Sequence, residues 1–186
     1  MTDIGLLWDT KLLFEKFFTE HGFDCKLIHP ASLGTPFLPE FKLLIIPTGF
    51  ANPDYSGTLS SLMRSSHRID KFIKNGGMLL VYGALTESHN YEWLPVHLEY
   101  IQRYGPVELC PHYQSDVSLL AGDTSLECDG FFCSADGECI LLNDSNDVVL
   151  VEIRHGKGMI IATTIHEFPT PEFIRWGLEH STHASL

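Results

Sequence analysis

Three polar or glycine-bearing stretches follow apolar runs in this chain, and chemistry could sit at each. Thr48-Gly49-Phe50 follows the run at 43–46, Gly83-Ala84 follows 78–82, and His166-Glu167 follows 159–164. An apolar run without alternation reads as a strand covered on both faces, and in a doubly wound α/β sheet the carboxyl ends of such strands collect ligands and reacting groups. Glycine at 49 and 83 leaves room and open backbone amides, which suits a carboxylate or carbonyl oxygen. Histidine at 166 can hold or release a proton near neutral pH, and Glu167 beside it can fix its ring or cap the next helix. The expected site therefore joins Gly49, Phe50, Gly83 and Ala84 as binding residues to His166 and Glu167.

These positions need a sheet to bring them together. Residues 4–8 form a first apolar run, and Asp9 or Thr10 can cap a helix in which Leu13, Phe14, Phe17 and Phe18 recur with a helical period. Residues 23–28 and 41–47 read as strands, and a long helix carries Leu62, Ile69 and Ile73 on one stripe until Asn75-Gly76-Gly77 stops it. Residues 87–104 are aromatic and polar without a clean period and read as a lid or edge, and 106–113 as a strand. From Thr124 the chain is β-rich: 139–142 and 148–153 flank the turn cluster 143–147, the pattern of a hairpin. Pro171 opens a last helix, and 181–186 are expected to fray. Strands alternating with helices predict a parallel sheet with right-handed crossovers. The expected fold is α/β: a flavodoxin-like, doubly wound, mainly parallel sheet with a β-hairpin extension near the C-terminus, in one domain over 1–186.

The segment from Asn75 to Ala84 resembles the nucleophile turn of class I glutamine amidotransferase-like domains, where a glycine pair precedes a strand ending in a tight turn that carries cysteine. Gly156-Lys157-Gly158 and the strand ending in His166-Glu167 resemble that family's last core strand with its catalytic histidine and acid, and residues 45–50 its glycine loop. The wider pattern is similar to trehalose-utilisation-like proteins and to the amino-terminal domain of some biotin protein ligases. The resemblance implies nucleophilic acyl transfer, in which a thiolate attacks, histidine holds the proton, an acid orients it and backbone amides hold the oxyanion. It makes His166 and Glu167 the catalytic positions, but the cysteine position falls on Gly83. The expectation is a non-classical member without the cysteine route, which binds a small molecule or partner protein in the remnant pocket. Two alternatives stand beside it: a hydrolase or lyase using His166 and Glu167 as general base and orienter, and an oligomeric interaction module.

Other candidates carry less. Tyr82 lies inside a strand run and reads as a core tyrosine, while Thr86 and Ser88 read as turn formers, with a displaced nucleophile as the alternative. The spacing of Cys128, Cys133 and Cys139 lacks the paired short spacing of a zinc knuckle, so Cys110 and these three read as small hydrophobes. A cysteine folding back over the elbow from residues 128–132 stays open. No histidine pair has chelating spacing on a confident helix, so no metal and no cofactor are expected.

A formal charge of −12 with only twelve Lys and Arg argues against nucleic acid and anionic membranes as partners. No basic start with an apolar run follows Met1, and no apolar stretch approaches the ~20 residues that span a bilayer, so a cytoplasmic location is expected. Five cysteines, an odd number, favour reduced thiols. A homodimer stays open.

Overall fold

The computed structural model describes residues 2–122 and 125–186; Met1 and Thr124, the expected start of the β-rich stretch, lie outside them. In chain order the elements are β1 (Ile4–Leu7), α1 (Leu13–Glu20), β2 (Cys25–Ile28), β3 (Leu43–Ile46), α2 (Thr58–Arg64), α3 (Ser66–Lys74), β4 (Met78–Val81), β5 (Ser88–Asn90), β6 (Leu98–Glu108), β7 (Cys110–Pro111), β8 (Ser125–Ala135), β9 (Glu138–Leu142), β10 (Val148–His155), β11 (Gly158–Thr163) and α4 (Pro171–Glu179). Two short 3-10 turns lie at Pro30–Ser32 and Asp116–Leu120.

All strands join one sheet whose main path runs β2-β1-β3-β4-β11-β10-β8-β6-β5, with β9 and β7 branching from β10. The first five strands of that path are parallel, in a register that sets Leu43 beside Met78 and Met78 beside Met159. Every residue of β1, β3, β4 and β11 is buried, which explains why these strands read as unbroken apolar runs. One face packs Leu44, Ile46, Leu79, Val81 and Ile160 against Leu62, Ile69, Phe72 and Ile73 of α2 and α3. The other packs Ile4, Leu6, Ile45 and Ile161 against Phe14 and Phe18 of α1 and Phe173 and Ile174 of α4.

The flavodoxin-like, doubly wound expectation is corrected. Six strands, β5 to β10, pair only antiparallel, and β10 joins them to the parallel part through β11. The result is a curled, mixed, strand-rich sheet with four α-helices among the described residues. The physical reason lies in β6 and β8, each eleven residues long, which run side by side from the core into solvent. Along β6 only Leu98 and Tyr100 are buried, so the strand leaves no alternating signature, and residues 87–104 hold β5 and the start of β6 rather than a lid. The expected long helix is two helices meeting at Ser65. The carboxyl end does not fray: Ala184 exchanges backbone hydrogen bonds with Phe41 (2.9 and 3.1 Å), and Ala184 and Leu186 are buried.

Candidate functional site

The loop after β3 and the turn after β4 meet as neighbours because their strands are paired in register. Gly49, at φ +83° in the left-handed region open to glycine, donates its N–H to the Gly83 carbonyl at 3.0 Å. The Thr48 hydroxyl lies 3.2 Å from the same carbonyl. Both glycines are buried.

The space above Gly83 is taken by another strand. A Cβ on Gly83 would lie 2.6 Å from Cγ and 2.7 Å from Oδ2 of Asp129, so any side chain there would collide with the carboxylate. Asp129 enters from β8, held by its own N–H donating to the Thr164 carbonyl just past β11 (2.9 Å). Thr48 Oγ1 donates to Asp129 Oδ2, and the Tyr100 hydroxyl sits between Asp129 Oδ1 (3.2 Å) and the Asp129 carbonyl (2.8 Å). Asp129 is fully buried. Burial pushes its carboxyl up to about 6, opposed by the hydrogen bonds from Thr48 and Tyr100 and by the nearby His166.

His166 and Glu167 lie on the same sheet edge, where β8 adds a rung past the end of β11. The His166 N–H donates to the Glu127 carbonyl (2.8 Å), and Cys128 bridges Ile165. Glu167 Oε1 accepts the backbone N–H of Glu127 at 2.9 Å, which ties one carboxylate oxygen to β8, while Oε2 is buried without a hydrogen-bond partner among the described residues. The His166 side chain is exposed, with its ring edge-on to Tyr104. Phe50 and Ala84 are fully buried. Phe50 packs with Tyr91 and Trp93 (centroids 5.5 and 5.7 Å), so it supports the loop from below instead of facing a ligand.

The structure thus brings Gly49 and Gly83 into contact, sets His166 on the same edge, and adds three residues that the sequence reading did not single out: Thr48, Tyr100 and Asp129. The segment 128–132 does fold over the elbow, but it presents a carboxylate. Cys128 is buried in the lower core beside Tyr82 and Ile161, and burial pushes its thiol up to about 12. Its partners lie across strand pairings many residues away, and one sequence carries no signal for them beyond an Asp set among Cys128, Gly130 and Phe132. All five cysteines are free. Among the described residues no cluster of three His, Cys, Asp or Glu side chains is placed to hold a metal ion, and no helix is long and apolar enough to cross a membrane.

The surface clefts include five of about 260 to 620 Å3, and Gly49, Gly83 and His166 line none of these five. The one that adjoins the elbow, about 260 Å3, lies over β5, β6 and β8 and is lined by Ser88, His89, Asn90, Glu99, Tyr100 and Cys133. Tyr100 therefore joins it to Asp129. His89 Nε2 is buried without a hydrogen-bond partner among the described residues, and burial pulls the imidazole below its ordinary range, keeping it neutral.

No family model and no curated protein matches the chain. Solved structures with a similar fold include a β-galactosidase from Bacillus circulans sp. alkalophilus (12% identity, TM-score 0.55), covering 96% of this chain and 30% of that one. The chain thus spans about 30% of the length of that enzyme. A cytoplasmic protein from Salmonella typhimurium, STM3548, is similar over 99% of this chain and 100% of its own (10% identity, TM-score 0.57). PurLQS from Thermotoga maritima is similar over 92% and 89% (13% identity, TM-score 0.55). At these identities the likeness is one of fold.

Proposed function

We propose that this chain is a class I glutamine amidotransferase-like protein that has replaced the cysteine of its elbow with a carboxylate from another strand. It binds a small polar molecule or a partner protein at this sheet edge and does not hydrolyse glutamine. The observation that carries the reading is the placement of Asp129, whose carboxylate fills the space that a side chain at position 83 would need.

Two of the parts required for acyl transfer are engaged elsewhere. The Gly49 amide, in the loop matching the oxyanion-hole strand, donates to Gly83 O, and the Glu167 carboxylate holds the Glu127 backbone. The nearest thiol, Cys128, is held protonated by burial. The alternative with His166 and Glu167 as general base and orienter is less favoured, because Glu167 spends Oε1 on the Glu127 backbone and its Oε2 is buried without a bond to His166 among the described residues. Binding is favoured at the cleft that Tyr100 joins to the elbow, whose wall His89 lines together with the polar Ser88, Asn90 and Glu99.

The test is ammonia release from glutamine by the wild-type protein beside His166→Ala. Both are expected at the uncatalysed rate. Release by the wild type that disappears in His166→Ala would overturn the reading.

A further inference from the structure

Among the described residues, six buried side-chain nitrogen and oxygen atoms have no hydrogen-bond partner, and three of them surround one residue. The three are the Tyr82 hydroxyl, Thr164 Oγ1 and Glu167 Oε2, and the residue is Cys128. Unmet polar atoms are rare in protein interiors, because each forfeits its bonds to water. Three of them brought together from different segments call for a common cause.

The backbone fixes their meeting. Glu167 Oε1 takes the N–H of Glu127 (2.9 Å) and the Thr164 carbonyl takes the N–H of Asp129 (2.9 Å), so both residues are anchored on the neighbours of Cys128 in β8. Tyr82 comes from the far side of β11: it follows β4, which pairs with β11, and it shares the lower core with Cys128, Ile161 and Ile165. The electrostatics agrees with this placement. Burial, with the Glu167 charge adding to it, pushes the Tyr82 hydroxyl up; burial also pushes the Cys128 thiol up, opposed by Thr164 and reinforced by Asp129 and Glu167.

None of the three atoms bonds another. Their supports hold them in place: the Tyr82 N–H donates to Ile46 O (3.0 Å), and the Thr164 N–H to Val149 O (3.0 Å). Phe14 packs edge-on against both Tyr82 (5.9 Å) and Phe168 (4.7 Å) and covers the group from α1. Tyr82 is 1% exposed and Thr164 fully buried, so bulk solvent does not serve their hydroxyls. The set calls for one small molecule that accepts from two hydroxyls and donates to a carboxylate oxygen. An anion is repelled by Glu167, and an ammonium ion donates only, which leaves both hydroxyl protons unmet. Among the described residues no set of three His, Cys, Asp or Glu side chains is placed to hold a metal ion.

We propose that this is an internal hydration site: one water accepts the Tyr82 and Thr164 hydroxyls and donates to Glu167 Oε2, with its second proton turned to the Cys128 sulfur. Three or four bonds are usual for a buried water. Glu167 is thereby held at both oxygens, one by β8 and one by the water, and it anchors to the core the loop that carries His166. The inference does not rest on the function proposed for the elbow.

The experiment is a crystal structure of the full chain at a resolution that shows ordered water, beside urea denaturation of Tyr82→Phe, Thr164→Val and the double variant. One water about 2.8 Å from Tyr82 Oη, Thr164 Oγ1 and Glu167 Oε2 is expected. Tyr82 and Thr164 then act through one shared partner, so the double variant should shift the unfolding constant at least about fivefold less than the product of the two single shifts. Ser181→Ala, which removes a hydroxyl bonded to the Gly177 carbonyl (2.6 Å), should combine with Tyr82→Phe as a simple product. A direct Tyr82–Glu167 hydrogen bond in the crystal, a dry site, or independent effects of Tyr82→Phe and Thr164→Val would overturn the proposal.

Discussion

The carboxyl carbon of Asp129 would lie 2.6 Å from a Cβ on Gly83, so these residues, 46 positions apart, occupy one side chain's worth of space. Gly83 is glycine because of its neighbour, since its backbone is outside the left-handed region. The two positions are therefore coupled: what one can be depends on the other.

The first consequence is a double-mutant cycle. Gly83→Ala should cost about 2 kcal/mol through overpacking, and Asp129→Ala about 1–2 kcal/mol by taking the carboxylate acceptor from the Thr48 and Tyr100 hydroxyls, which keep only the Gly83 and Asp129 carbonyls. The double variant should be more stable than the sum of the two losses by at least ~1 kcal/mol, because the new methyl then enters vacated space. Urea denaturation of all four proteins measures the coupling; additive losses would mean that the carboxylate does not fill the elbow.

The second concerns pH. The Asp129 carboxyl is raised from 3.8 to about 6, chiefly by burial. The folded state therefore holds this proton more tightly than the unfolded chain, so this group's contribution to stability falls as pH rises from about 4 through about 6. The loss amounts to roughly 3 kcal/mol and is complete above that window. Asp129→Asn keeps volume and acceptor while removing the charge. It should match the wild type near pH 4 and exceed its denaturation midpoint near pH 8.

How much of this was legible in the sequence follows from burial. Leu43–Ile46, Met78–Val81 and Gly158–Thr163 are covered on both faces, so composition alone marks them as strands, and the parallel pairing places Gly49, Gly83 and His166 at one edge. The antiparallel part left weaker traces. Strand β6 passes from the buried Leu98 to exposed positions, and its pairing with β8 shifts register near Tyr100 and again between Gln102 and Gly105, which breaks any period of two. Asp129 was unreadable for a related reason: a charged residue between Cys128 and Gly130 looks like a turn until the sheet closes over it.

The third prediction separates His166 from Glu167. The His166 side chain is exposed, so His166→Ala should change stability by no more than ~0.5 kcal/mol. Glu167→Ala removes the acceptor of the Glu127 N–H and should cost about 1–2 kcal/mol. Thermal unfolding of the two variants checks the order; equal effects would place Glu167 with the histidine instead of with β8.

The central claim, an elbow without a nucleophile, is tested most directly by intact-mass measurement after incubation with a diazoketone analogue of glutamine, which alkylates thiolates of glutaminases. The account predicts that the mass of the folded protein stays unchanged and that Cys128, held protonated by burial, is labelled only after unfolding. Stoichiometric labelling of Cys128 in the native protein, abolished by His166→Ala, would contradict it.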